Sequence, residues 1–297
     1  MISLRILTLA DIHGNTKACT KLVSLMGEKK VKIDLIIIAG DLPATTSLPV
    51  MARYMLTHPL KALSKKCYTN WVYKGKGRKF FVHKQIESAT AVLQLLSRLK
   101  APIIYITGNV DSIEVLRAIG SWKDLQIHIL NSNQVTIDSL TIWGTGGALV
   151  ADEKRLPICD HEFSEEDFYK RWVPILENSL KKIDILISHE PPAFELVDEN
   201  LKLKGGSLLI SEIIRKKKPR LMIFGHYHEL AILKQTSDLT YVNPGPLACY
   251  YYALIEITEE SLQVSLNKLQ PTKFDSTKII YANRSPINNI QRSLRFV

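Results

Sequence analysis

The sequence predicts an α/β protein in which two sheets pack face to face and helices cover their outer faces. Two observations lead to this fold class. Apolar runs of strand length alternate with segments of helical periodicity over much of the chain, as in parallel strands joined by crossover helices. After residue 229, four further runs follow one another with short connections, which predicts an antiparallel meander.

The first two strands and the helix between them are the clearest elements. Leu4–Ala10 is almost continuously apolar, as expected for a strand that is buried on both faces. Asn15 or Thr16 can cap a helix that extends to about Glu28, and Asp34–Gly40 is the second strand. The remaining strands are predicted at Ile103–Thr107, Gln126–Leu130, Val135–Ile137, Leu140–Trp143, Ile183–Ser188, Leu221–Phe224, Leu230–Lys234, Leu239–Val242, Ala253–Ile257 and Leu262–Leu266. The remaining helices are predicted at Lys84–Leu99, at Ser112–Ile119, from Ser164, and at Gly206–Lys217.

The stretch between Asp41 and Asn109 is far longer than one crossover requires. Within it, YTNWVYKGKGRKFFV has two aromatic runs on either side of a basic, glycine-rich turn, which predicts a β-hairpin over residues 68–82. We predict that residues 43–84 are an insertion that caps a site formed where the strands end. The insertion would belong to a single domain over residues 1–269, followed by a basic tail over residues 270–297.

Basic residues are concentrated in this insertion. The formal net charge is +10, and Leu42–Ile86 contains nine Lys or Arg but no Asp or Glu. Such a patch attracts polyanions, and cations mixed with aromatic residues are typical of surfaces that bind single-stranded nucleic acid. A solvated face or a subunit contact explains the charge equally well, so the 68–82 hairpin and the basic tail are both candidate contacts of a homo-oligomer.

Composition excludes several classes of protein. With 297 residues, 46% of them hydrophobic, the chain forms one large or two small domains. No apolar run approaches the roughly 18 residues of a membrane span, and Arg5 interrupts the N-terminal run, so we expect neither a span nor a signal peptide. The four cysteines are scattered without a Cys-x-x-Cys pair, which argues against a zinc cluster or disulfide framework and favours the cytoplasm.

Polar residues of the types that bind metal ions follow five of the predicted strands. Ligands of open α/β sheets bind outside the carboxyl ends of the strands, so we expect these side chains to converge. Oxygen and imidazole donors without a thiolate indicate a metal site. The seven candidate ligands are Asp11, His13, Asp41, Asn109, His189, His226 and His228.

Together these residues resemble the motifs of the calcineurin-like metallophosphoesterase superfamily, in particular its small bacterial and archaeal phosphodiesterases. The motifs are Asp11-Ile12-His13, Gly40-Asp41, Gly108-Asn109-Val110-Asp111, Ser188-His189 and Gly225-His226-Tyr227-His228. The resemblance implies a four-layer α/β/β/α sandwich of two mixed sheets. It also implies two divalent metal ions, with Mn²⁺ expected and Fe, Zn, Ni or Co as alternatives.

The resemblance further assigns a role to each residue. Asp11, His13 and His228 would hold one ion, and Asn109, His189 and His226 the other. Asp41 would bridge both ions, which activate a bridging hydroxide as the nucleophile on a phosphate ester. Asp41, Asn109 and Asp111 are the expected catalytic residues, with Asp111 in a supporting position.

One residue departs from the family pattern. Val110 stands where many members have a histidine that assists the leaving group or holds the phosphate, and valine can do neither. This favours a phosphodiesterase, with a phosphomonoesterase acting on a nucleotide or another small molecule as the alternative. A nuclease and a non-catalytic interaction module are further alternatives. His58, His83, His128 and His161 match no motif, and of these His83 and His161 are the candidate substitute acids.

Overall fold

The computed structural model describes residues 3–45, 71–122, 125–150, 159–177, 182–193, 205–228, 231–258 and 260–270. Within these ranges the helices are α1 (Thr16–Glu28), α2 (Arg78–Leu96), α3 (Ile113–Gly120), α4 (Glu165–Glu177) and α5 (Leu208–Lys217). The strands are β1 (Leu4–Leu9), β2 (Leu35–Ala39), β3 (Ile103–Ile106), β4 (Ile127–Ile129), β5 (Asn133–Ile137), β6 (Leu140–Thr145), β7 (Ala148–Leu149), β8 (Glu162–Phe163), β9 (Ile185–Ser188), β10 (Leu221–Ile223), β11 (Ile232–Gln235), β12 (Thr240–Asn243), β13 (Tyr251–Ile257) and β14 (Leu262–Lys268). Short 3₁₀ turns lie at Ser97–Leu99 and Leu247–Cys249.

Twelve of these strands form two six-stranded mixed sheets. The first sheet has the order β14-β13-β1-β2-β3-β4, in which β1 to β4 are parallel and β13 and β14 are antiparallel to their neighbours. The second has the order β11-β12-β10-β9-β6-β5, with parallel strands in the centre and antiparallel β5 and β11 at the edges. β7 and β8 form a separate parallel pair.

The sheets pack against each other through their inner faces. Ile37 and Ile104 of the first sheet and Ile185 and Ile223 of the second are buried in one apolar cluster. A second cluster joins the outer face of the first sheet to α1, α2 and α3, and a third joins the outer face of the second sheet to α4 and α5. This is the predicted four-layer α/β/β/α sandwich, in which burial of both faces accounts for the continuous apolar strands.

The predicted meander is divided between the two sheets. β11 and β12 form a hairpin at the edge of the second sheet, whereas β13 and β14 form a hairpin at the edge of the first. The chain crosses between them at Pro244–Pro246, where Leu247 N–H donates to the carbonyl of Ala10 at the end of β1 (2.9 Å). The hairpins were predicted, but their placement in different sheets was not.

The predicted β-hairpin over residues 68–82 is wrong. Residues 71–73 are helical and α2 begins at Arg78, six residues before the expected start of that helix. The aromatic residues favoured a hairpin because they resemble a strand pattern, but Trp71 and Phe81 are instead buried in a small cluster of their own. Buried rings cannot stack on bases, so the argument for single-stranded nucleic acid from these residues no longer holds.

Other predictions lie outside the described residues. These include most of the insertion (46–70) and all of the tail beyond residue 270, so an oligomeric contact through either one stays a prediction. Among the described helices, none is both long and apolar enough to cross a membrane.

Candidate metal centre

The predicted ligands lie where the strands end, on backbone that is held in an unusual conformation. Asp11, His13, Asp41 and His226 all have positive φ angles, between 48° and 72°. Such conformations cost free energy in non-glycine residues and are concentrated at functional sites. Here hydrogen bonds between loops maintain them: Asp11 N–H donates to the carbonyl of Gly40 (3.1 Å), and His13 N–H donates to that of Asp41 (2.9 Å).

One group of ligands forms around His228. Asp11, His13, Asp41 and His228 each direct one ligand atom to a common region, and these atoms lie within 4.8 Å of one another. The His228 Nε2 lies 3.0 Å from Asp11 Oδ1 and 3.1 Å from His13 Nε2. The arrangement suits one divalent cation with two imidazole nitrogens and carboxylate oxygens.

A second group forms around His189, whose ring orientation is fixed. Its Nδ1 lies 2.8 Å from the carbonyl oxygen of Ala39, which can only accept, so Nδ1 carries the proton. The lone pair of Nε2 is then directed at Asn109 Oδ1 (3.3 Å) and Asp41 Oδ2 (3.7 Å). Three electron-pair donors that face one another are stabilised by a cation between them. The ring of His226 packs beside that of His189, with 5.0 Å between the ring centroids.

Asp41 connects the two groups. Its Oδ2 atom is 3.8 Å from His13 Nε2 on one side and 3.7 Å from His189 Nε2 on the other. The donors therefore fit two divalent cations that share Asp41.

Burial sets the protonation states of the site. It lowers the pKa of His13 and of His226 to about 3, helped by neighbouring imidazoles, so both rings are neutral as metal binding requires. Burial and the charge of Asp11 raise the pKa of Asp41 to about 8. For Asp11, burial opposes ionisation, but His228 and the other imidazoles hold its pKa well below the usual range. Bound cations would favour ionisation of both carboxyl groups.

A protein family with this set of motifs matches most of the chain. The family model described as calcineurin-like phosphoesterase covers residues 4–230. The chain belongs to the calcineurin-like phosphoesterase family.

Solved structures share the calcineurin-like phosphoesterase fold at low sequence identity. The protein TT1561 of Thermus thermophilus is 16% identical, with a TM-score of 0.61, and the match covers 89% of this chain and 99% of that one. A putative 5′-nucleotidase from Staphylococcus aureus is 12% identical, with a TM-score of 0.50 and 90% and 53% coverage. GAP50 of Plasmodium is 11% identical, with a TM-score of 0.50 and 95% and 88% coverage. These likenesses establish the fold alone, and the comparison with curated proteins finds no match.

Asp111 lies behind Asp41 in this calcineurin-like phosphoesterase. Its Oδ2 accepts hydrogen bonds from the amides of Asp41 (3.1 Å) and Gly108 (2.6 Å) and from the hydroxyl of Tyr105 (2.6 Å). Burial and the charge of Asp41 raise the pKa of Asp111 to about 7. These contacts give Asp111 the geometry of a residue that positions Asp41.

Val110 contributes through its backbone. Its side chain is buried, and its N–H donates to Asp41 Oδ1 (3.2 Å), so position 110 orients the carboxylate that lies between the two ligand groups.

The candidate substitute acids lie in different settings. His83 is exposed on α2, 3.1 Å from Glu87, whereas His161 is buried and its Nε2 has no partner among the described residues.

Two supporting residues of the site were not recognised in the sequence. Tyr105 lies inside an apolar strand, and a buried hydroxyl requires a partner, which was the available signal. Gln85 interrupts the apolar face of α2 between Phe81 and Ala89, and such a polar residue within an apolar stripe was a second signal.

Proposed function

We propose that this chain is a dinuclear metal-dependent phosphoesterase that acts on phosphodiesters. The observation that carries the proposal is the position of Asp41 Oδ2 between His13 Nε2 and His189 Nε2, with the other predicted ligands grouped on either side. Two divalent ions held there, with Mn²⁺ the proposed activator, would acidify a water molecule and offset the charge of the phosphate oxygens.

The protein's own groups hold this site in place before substrate arrives. Neutral His13 and His226 supply lone pairs without adding positive charge. The N–H of Val110 donates to the side chain of Asp41, and the carboxylate of Asp111 accepts from the backbone N–H of Asp41. Both the side chain and the backbone of Asp41 are thereby held in place. A site that is rigid in this way does not have to reorganise during the reaction.

The preference for diesters follows from position 110. The side chain of Val110 is buried and apolar, so it can neither donate a proton nor hydrogen-bond a phosphate oxygen. A diester carries one negative charge fewer than a monoester, so it requires less from a site that lacks this partner. Leaving groups of low basicity, such as aryl or nucleoside-phosphate oxygens, require no general acid, whose help is typically worth about 10²–10⁴ in rate.

The test compares matched aryl substrates with Mn²⁺ present. The parent and Val110→His are assayed on bis(p-nitrophenyl) phosphate and on p-nitrophenyl phosphate, and kcat/KM is measured for each pair. We expect the parent to favour the diester and the variant to gain relatively more on the monoester. A parent that prefers the monoester and gains nothing from histidine would replace our proposal with a phosphomonoesterase on the same site.

The location is a separate proposal, based on the cysteines. The chain has four cysteines without a Cys-x-x-Cys pair, and Cys19 is a buried free thiol. Free thiols suit a reducing compartment, so we propose the cytoplasm.

A further inference from the structure

Helix α2 contacts the loop that carries Asn109 through the buried side chain of Gln85. Gln85 has no exposed surface. Its Nε2 donates to the carbonyl of Val110 (2.8 Å), and its Oε1 accepts from the N–H of Ser112 (3.2 Å). The amide thus satisfies a backbone acceptor and a backbone donor two residues apart, which a carboxylate or an apolar side chain cannot do.

The same face of α2 also contacts the loop that follows Asp41. Ser88 lies one turn beyond Gln85, and its hydroxyl accepts from the N–H of Ala44 (2.9 Å) while it donates to the carbonyl of Gln85 (2.9 Å). Gly14 packs into this corner so closely that a Cβ there would lie 3.0 Å from both Ser88 Cβ and Ala44 N. The helix therefore contacts both of the loops that follow β2 and β3.

The contact of Gln85 continues directly to the bridging carboxylate. Val110 uses its carbonyl to accept from Gln85 and its N–H to donate to Asp41 Oδ1. Asn109, the residue before it, directs its side-chain oxygen at His189 Nε2. A shift of the Val110 backbone away from Gln85 would therefore move Asn109 and break the hydrogen bond from the Val110 N–H to Asp41 Oδ1.

We propose that Gln85 is a positioning residue for the metal centre. It holds the loop of residues 109–112 so that the amide oxygen of Asn109 faces His189 Nε2 and the N–H of Val110 faces Asp41 Oδ1. Ser88 supports the neighbouring loop in the same way. This inference rests on the proposed function, since it concerns the group of ligands that would hold the second ion.

The experiment separates positioning from general stability. Gln85→Met removes both hydrogen bonds with little change in volume. Val92→Ala removes buried apolar volume from the same helix without removing a hydrogen bond to either loop, and Gln94→Met makes the same chemical change at an exposed position. Each full-length variant is stripped of metal, its melting temperature is recorded, and Mn²⁺ binding is measured by calorimetry.

We expect Gln85→Met to weaken the binding of one ion about 10- to 100-fold, the usual effect of removing a group that orients a metal ligand. kcat on the aryl diester should fall, with KM little changed. Val92→Ala should lower the melting temperature but leave the affinities for both Mn²⁺ ions intact. Gln94→Met should change neither the melting temperature nor these affinities. Should Gln85→Met fail to fold, Ser88→Ala is the second variant and should weaken Mn²⁺ binding by a smaller factor.

The outcomes are distinguishable. A parent that binds no divalent ion contradicts the proposed function itself. A parent that binds two ions, with Gln85→Met or Ser88→Ala weakening them no more than Val92→Ala does, overturns the positioning role and leaves the proposed function standing.

Discussion

The Nδ1 atom of His189 lies 2.8 Å from the carbonyl oxygen of Ala39, at the end of the neighbouring sheet's strand β2. This bond joins the two sheets at the edge where the site forms. It also fixes which ring nitrogen carries the proton, and it directs the lone pair of Nε2 toward Asn109 and Asp41.

We predict that His189 carries its ring proton on Nδ1 before any metal is added. Two-bond ¹H–¹⁵N correlation spectra of the metal-stripped protein should show a protonated Nδ1 and an unprotonated Nε2, assigned by loss of the signals in His189→Gln. On addition of Mg²⁺ or Zn²⁺, Nε2 should shift while Nδ1 stays protonated. A ring with its proton on Nε2 would contradict the assignment of His189 as a ligand through that atom.

Asp111 should be important for stability as well as activity. Asp111→Ala leaves the amides of Asp41 and Gly108 and the hydroxyl of Tyr105 without their common acceptor in a buried place, so we expect a loss of about 3 kcal/mol or more in the free energy of unfolding. Tyr105→Phe removes one donor together with its requirement for a partner and should cost only about 1 kcal/mol. Urea denaturation measures both, and equal losses would argue against a shared acceptor.

His161 should make stability depend on pH. Burial, and then the charge of Arg171, lower the pKa of His161 from 6.5 to about 4. Between pH 6.5 and pH 4 the unfolded chain binds more protons at His161 than the folded protein does. The stability that neutral His161 contributes is therefore complete above pH 6.5 and is lost as the pH falls toward 4, by about 3 kcal/mol in total. His161→Phe should show a flatter stability profile from pH 6.5 to 4. An unchanged profile would mean that His161 titrates normally.

Cations at the start of α2 and just before it should separate into two kinds. Lys74, Lys76 and Lys79 are exposed, and we predict that replacing them with Gln raises KM for an anionic diester, most at low salt, with kcat nearly unchanged. Arg78 instead donates to Asp160 (2.7 Å) and Glu114 (2.8 Å). Arg78→Gln should therefore lower the free energy of unfolding by about 1–3 kcal/mol. If instead the lysine variants alter oligomeric state at constant KM, the segment is an assembly element.

The parts of the fold that could be predicted are those that local pattern determines. Leu35–Ala39 is apolar at every position and is followed by Gly40 and Asp41, so both the strand and the candidate ligand at its end were evident. The segment around Trp71 and Phe81 was misassigned because its aromatic residues favour a strand locally, while their burial with each other is a tertiary property.

The contacts that were not predicted join residues that lie far apart in the sequence. Gln85 and Val110 are 25 residues apart, and Arg78 and Asp160 are 82 apart, so neither contact leaves a periodic trace in the sequence. The motifs located the candidate ligands, whereas the partners of Gln85 and Arg78 depend on the tertiary packing of α2.

The metal content of the loaded protein shows whether Asp41 serves two ions. The parent, Asp41→Ala and the exposed control Asp138→Ala are saturated with Mn²⁺, freed of excess ion on a desalting column and analysed for elemental content. We expect two ions per chain in the parent and in Asp138→Ala, and no more than one in Asp41→Ala, because the side-chain oxygen between the two ligand groups has been removed. Two fully occupied ions in Asp41→Ala would contradict the bridging role of Asp41 and with it the dinuclear site as we describe it.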